Sequence, residues 1–379
     1  MERSNRVYRI AVGCLFFLQG ICFASWASRI PSIQQRLHLS DAALGLVLFA
    51  LPVGSFIALP LSGWVVTKYG SKRVAANAII LYSILLVLLG LSQTLPQLVI
   101  VLMLFGAAGN LSNIAINTQA VGVEARYGRN IMASFHGLWS LAGFTAAGIG
   151  TFMIGKSVVP FHHFLLIMVT MLFALALTFH YLLPSEEQRS EKVRLFPKLN
   201  KTLFLLGVIT FCCMICEGAM FDWSGIYFQK VVRAEGAWVG AGYTAFMCTM
   251  ATGRFIADWV TSRVGFKRMV QGSGILIATG LGIAVLFPYL WSAIAGFLLV
   301  GFGVSSVVPL VYSEAGKSKG VAPGLALAAV SSIGFLGFLI GPPVIGVVAG
   351  WAGLQTSFVI IAVMGLSVAL AASIRRPVA

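Results

Sequence analysis

Twelve runs of about twenty mostly apolar residues, broken by glycines, prolines and short basic clusters, decide what this chain can fold into. They lie near 8–28, 43–66, 74–93, 97–119, 131–154, 161–183, 202–228, 237–260, 269–287, 291–312, 322–347 and 352–374. A helix of that length rises about 30 Å and satisfies its backbone hydrogen bonds within itself, which is what hydrocarbon demands of a spanning segment. Composition points the same way. The 379 residues are 59% hydrophobic and 10% charged, whereas soluble domains carry roughly 25% charged residues, so the chain has too little charge to cover a water-facing surface. The sequence predicts an all-α integral membrane protein of twelve transmembrane helices, with the lipid bilayer as its solvent.

The net charge of +15 does not point to nucleic acid, because the basic residues punctuate the apolar runs instead of clustering with stacking aromatics. With the N-terminus inside, 20 of the 26 Lys and Arg face one side, from Arg3, Arg6 and Arg9 to Arg375 and Arg376. Arg29, Arg36, Lys156, Lys230 and Arg233 face the other, and Arg254 lies within span 8. That bias over short loops places both termini in the cytoplasm. The start of the chain, basic and then apolar to FASWAS, could pass for a signal peptide, but the run is long enough to span and is similar to a later segment. All six cysteines fall inside apolar runs and carry no information on redox compartment.

The densest charge is in PSEEQRSEKVRLFPKLNK, Pro184 to Lys201. It divides the chain into a six-helix bundle at 1–183, a cytoplasmic linker at 184–201 and a second six-helix bundle at 202–379. The halves repeat: KYGSKR (68–73) returns as RVGFKR (263–268), and SWAS (25–28) corresponds to DWSG (222–225) at nearly the same separation. Two six-helix bundles in parallel repeat are a transporter plan.

These features resemble the major facilitator superfamily over essentially the whole chain. GWVVTKYGSKR (63–73) is similar to the family's cytoplasmic signature between helices 2 and 3. Gly63, Lys68, Gly70, Lys72 and Arg73 match it, while Thr67 stands where the family usually has Asp, which puts that Asp's gating interaction in question. The resemblance implies a gating role for Lys68, Gly70, Lys72 and Arg73. NTQAVGVEARYGRNIMASFHGLWSLAG (117–143), EGAMFDWSGIYF (217–228) and MATGRFIAD (250–258) look more narrowly like bacterial inner-membrane permeases near the fucose permease branch. What the resemblance implies is a secondary transporter in the bacterial inner membrane that works by alternating access, with helices 1, 4, 7 and 10 lining a central cavity.

Within that frame Glu217 is the most costly residue to place, since a charge at the bilayer centre costs about 2.5–3.5 kcal/mol even on insertion scales. Its functional reading is a carboxyl that couples proton movement to solute movement; a structural hydrogen bond or idle contact with cavity water is the alternative. Ser224, a substrate-binding candidate, shares its helix face, with Cys213, Met220 and Phe221. Asp222, about 140° round the helix, is expected near the periplasmic mouth as an ion-pair partner of Arg29, or as a solvated loop-edge carboxylate. On span 4, Asn110, Asn113 and Asn117 fall within an arc of about 60° and suit either a hydroxyl- or amide-bearing solute or a neighbouring helix. Gln19, Trp26 and Tyr312 join them as substrate-binding candidates, with interfacial anchoring equally open for Trp26. His136 is either a second proton-coupling group or a satisfied core histidine. Arg254 and Asp258, four apart on span 8, are read as a gate latch or a static pair.

Other chemistries find no support in the sequence. Cys213 and Cys216 form a CxxC without the second ligand pair that zinc requires. There is no phosphate-binding loop ending Gly-Lys-Ser/Thr and no hydrolytic triad. The chain is therefore expected to be no enzyme and to need no cofactor or metal. Its expected partners are a small-molecule substrate and protons, acting on a monomer. Three functions stay open: proton-coupled uptake of a small polar, sugar-like solute; proton-driven export of drugs or metabolites; and a sensor or scaffold that moves nothing.

Overall fold

The computed structural model describes residues 4–127, 131–184, 201–315, 318 and 323–374. The helices are α1 (Asn5–Ser28), α2 (Ile30–Arg36), α3 (Asp41–Tyr69), α4 (Ser71–Leu91), α5 (Leu95–Tyr127), α6 (Met132–Gly155) and α7 (Pro160–Thr178). They continue as α8 (Lys201–Lys230), α9 (Ala241–Val264), α10 (Phe266–Leu286), α11 (Leu290–Ala315), α12 (Pro323–Ala352) and α13 (Leu354–Ile374). Apart from the short α2, these are the twelve long helices that the apolar runs predict. Among the described residues, eleven are long and apolar enough to cross a membrane. The twelfth, α9, is 24 residues long and carries Arg254, Asp258 and Arg263. Among the described residues no strand occurs.

The chain divides into two compact units, Met1–Leu39 with Val47–Ser190, and Ser40–Leu46 with Glu191–Ala379. In the first, α1 packs on α5, α6 and α7, and α4 on α5 and α7. Phe16 stacks on Phe135 with ring centroids 5.3 Å apart, and Tyr82 on Phe105 at 4.2 Å. Helices α3 and α5 cross so closely that a Cβ on Gly54 would meet the Met103 carbonyl at 1.9 Å, and one on Gly106 the Leu51 carbonyl at 2.0 Å. Small residues at the crossing are what bring bilayer helices together, since hydrocarbon gives apolar side chains little reason to leave it.

The second unit places α8 against α11, α12 and α13, with α10 between α11 and α13 and α9 on α11. Tyr227, Phe297 and Phe358 form its aromatic core, and the Tyr227 hydroxyl donates to the Ala284 carbonyl at 2.8 Å. Ser40–Leu46 belongs here because Gly45 lies backbone to backbone on Gly346 and Lys230 pairs with Asp41. Large apolar side chains such as Phe173 and Trp351 project outward, as they must where the solvent is lipid.

The repeated basic motif acquires a physical meaning. α3 and α4 are joined by Gly70 alone, at φ 81° and ψ 142°, and α9 and α10 by Gly265 alone, at φ 81° and ψ 159°. Each glycine closes the helix before it with its N–H, to Val66 or Thr261, and opens the helix after it with its carbonyl, to Val74 or Met269. Only glycine takes this backbone conformation without strain.

Candidate functional site

Glu217 and Arg254 form the centre of the second unit's polar interior. Glu217, on α8, is 8% exposed, and its Oε1 accepts from Arg254 Nη2, on α9, at 3.2 Å. Tyr312 on α11 and Cys213 on α8 lie within electrostatic reach of the carboxylate. A buried charge needs a counter-charge and hydrogen bonds, and here the counter-charge comes from the neighbouring helix, 37 positions along the chain. Arg254 thus has a partner that spacing along span 8 does not suggest; the side chain of Asp258 lies outside the described residues. Ser224, one face along from Glu217, is fully buried, and its hydroxyl has no hydrogen-bond partner among the described residues. Asp222 is half-buried and neighbours the buried hydroxyl of Tyr243.

The CxxC side chains turn to different neighbours. Cys213 faces the Val304 carbonyl on α11, and Cys216 donates to the Ile361 carbonyl on α13 at 3.5 Å.

In the first unit, Gln19 on α1 donates from Nε2 to the Gly109 carbonyl on α5 at 3.1 Å. Its Oε1 and the adjacent Asn110 Oδ1 are buried without hydrogen-bond partners among the described residues. Asn117 donates to the Asn113 carbonyl at 2.8 Å and to its side-chain oxygen at 3.3 Å, so these two amides are tied to each other. Trp26 is 1% exposed, a depth at which an indole does not touch lipid headgroups. His136 is exposed on α6, edge-on to Phe16 at 5.3 Å. Arg29, also 1% exposed, donates to the Val158 carbonyl. It faces His163, a fully buried imidazole.

At the basic end of the first unit, Lys68 sits over the rings of Trp64 and Tyr69, at 4.6 and 5.3 Å. Lys72 lies over Phe179 at 4.9 Å and donates to the Leu182 carbonyl, while Arg73 is exposed. Two residues missed at the sequence level organise this region. Gln119 donates to Ser71 Oγ at 2.8 Å and to the Leu183 carbonyl, and accepts from Leu183 N–H at 2.9 Å. Glu124 Oε2 accepts from the N–H groups of Ile131 and Met132 at 2.8 and 2.9 Å, closing the start of α6. Both stand in NTQAVGVEARYGRN, and acidic or amide groups continuing an apolar helix beyond its span were the available signal.

Twelve long helices in two compact units define a polytopic, all-helical membrane protein. Residues 12–323 match the Major Facilitator Superfamily, and the chain belongs to that family. An uncharacterized MFS-type transporter of Yersinia pestis is 33% identical over 365 residues, 96% of this chain and 94% of that protein. The crystal structure of the nucleoside transporter NupG superposes with a TM-score of 0.75 at 16% identity, covering 97% of this chain and 98% of that one. FucP in its outward conformation gives 0.66 at 17% identity, covering 99% of this chain and 100% of that one. At such identities the two structures speak to the fold alone, which is the twelve-helix fold expected from the sequence.

Proposed function

We propose that the chain is a proton-coupled symporter of a small polar solute, with Glu217 as the coupling group, Arg254 as its counter-charge and the Gln19–Asn110 amides as solute contacts. The Glu217–Arg254 ion pair carries this reading. A carboxylate held by a guanidinium takes up a proton only by giving up that ion pair, so protonation changes what binds α8 to α9. A neutral carboxyl is also far cheaper than a carboxylate in an apolar interior. The buried amide oxygens of Gln19 and Asn110 are acceptors without donors, which suits a solute rich in hydroxyl or N–H groups. We place both termini in the cytoplasm, from the distribution of Lys and Arg, and the protein in the inner membrane. Import is favoured over drug export because the polar groups on α1 and α5 are amides and hydroxyls.

The test is uptake into proteoliposomes under an imposed pH gradient, across a panel of sugars, polyols, nucleosides and amino acids. Wild-type protein is expected to accumulate at least one of these, and Glu217→Gln to lose accumulation while retaining exchange of that solute across equal concentrations. Undiminished uphill uptake by Glu217→Gln would remove the carboxyl from the coupling step.

A further inference from the structure

Between α9 and α10, floored by α11, runs a cleft of about 370 Å³ within the second unit. Its walls are apolar: Ile256, Val260 and Val264 from α9, Met269 and Leu276 from α10, with Phe302 beneath. The hydroxyls that reach it are already spent. Ser305 donates to the Phe302 carbonyl at 2.7 Å, and Ser273 bonds Ser306 at 3.0 Å. Gly272 leaves one wall open, since a Cβ there would meet nothing within 4 Å. The interior therefore offers shape and apolar surface and no polar recognition.

The mouth is different. Arg268 lines it, in the first turn of α10, where the helix N-terminus adds positive potential. Of the three described cations flanking the Gly265 joint, Lys267 donates to the Ser373 carbonyl and Arg263 lies over Trp259 at 4.0 Å. Arg268 is exposed and has no partner among the described residues. From Arg268 to Leu276 is eight residues, about 12 Å of helix rise, and from Val264 back to Gly253 about 16 Å. One leaflet of hydrocarbon is about 15 Å deep. The cleft opens among the exposed apolar side chains Phe255, Ile256 and Ile275, which face lipid in a spanning helix.

We propose that this cleft holds one acyl chain of an anionic phospholipid, whose phosphate sits on Arg268. An apolar trough one leaflet deep with an exposed guanidinium, that of Arg268, lining its end has the polarity profile of a phospholipid. A small polar solute would find no hydrogen bonds inside.

The test is native mass spectrometry of the full chain, delipidated in neutral detergent and titrated with dioleoyl phosphatidylglycerol or dioleoyl phosphatidylcholine. The first phosphatidylglycerol should bind about fivefold more tightly than phosphatidylcholine, the equivalent of the roughly 1 kcal/mol one basic side chain adds near a membrane surface. Arg268→Gln should weaken phosphatidylglycerol more than phosphatidylcholine, whose phosphate is already offset by its choline cation, and so remove that preference. Gly272→Phe should fill the trough and weaken both lipids, and glycerol phosphate, a headgroup without chains, should displace neither. Equal binding of the two lipids by wild type, unchanged binding by Gly272→Phe, or displacement by glycerol phosphate would overturn the proposal. An independent readout is Ile256→Trp, which stoichiometric phosphatidylglycerol brominated on its chains should quench; absence of quenching would equally overturn it.

Discussion

At the scale of residues, Glu217 and Arg254 are worth more as a pair than either is alone. Removing one member of a buried ion pair leaves an uncompensated charge and costs about 3–5 kcal/mol, whereas replacing both with neutral groups costs far less. Their side chains are 10% and 20% exposed, so the lower end applies. Arg254→Leu is expected to destabilise the protein by about 3 kcal/mol, and adding Glu217→Gln to recover most of it. A denaturant titration of the single and double variants measures this; additive losses would mean that the two groups do not depend on each other. The cost of Glu217 was legible from its apolar surroundings. Its partner was not, because a contact between residues 37 apart on different helices leaves no periodicity in either helix. Gln119 escaped for the same reason: its three hydrogen bonds reach Ser71 and Leu183, which only folding brings to α5.

At the scale of elements, the helices follow the apolar runs closely but overrun them where polar contacts continue the helix past the hydrocarbon. α5, read as 97–119, extends over Leu95–Tyr127, about 50 Å of rise, and its last turns carry Gln119 and Glu124. The repeat KYGSKR/RVGFKR was legible as a pattern, and its glycines prove to be whole connections. Gly265 has open space around its Cα, so only its positive φ resists a side chain. Gly265→Ala is expected to cost about 1–3 kcal/mol. Gly282→Ala, inside α10 with equally open space, should instead stabilise by up to about 1 kcal/mol. Melting temperatures of the two variants, moving in opposite directions, check the argument; a common direction would show that the joint tolerates an ordinary residue.

At the scale of the whole molecule, the class of protein was set by length and charge-poverty, because a bilayer admits few architectures. Side-specific topology rests on the distribution of Lys and Arg and has its own test. Alkaline phosphatase fused after Ile374 is expected to be inactive and green fluorescent protein at the same place bright, while the phosphatase fused after Lys156 is expected to be active. An active phosphatase at the C-terminus would invert the assignment. The single-glycine joints also bear on how the protein meets a protease. Lys68, Lys72, Arg73, Arg263, Lys267 and Arg268 crowd these two corners and look like ready cleavage points for trypsin. Proteolysis, however, requires the chain to open locally, and a corner with no slack, hydrogen-bonded into the helices on both sides, cannot be drawn out without unravelling them. Brief digestion of the native protein should therefore leave peptides that run unbroken through Gly70 and Gly265, and early scission at either corner would reveal a joint far looser than its geometry.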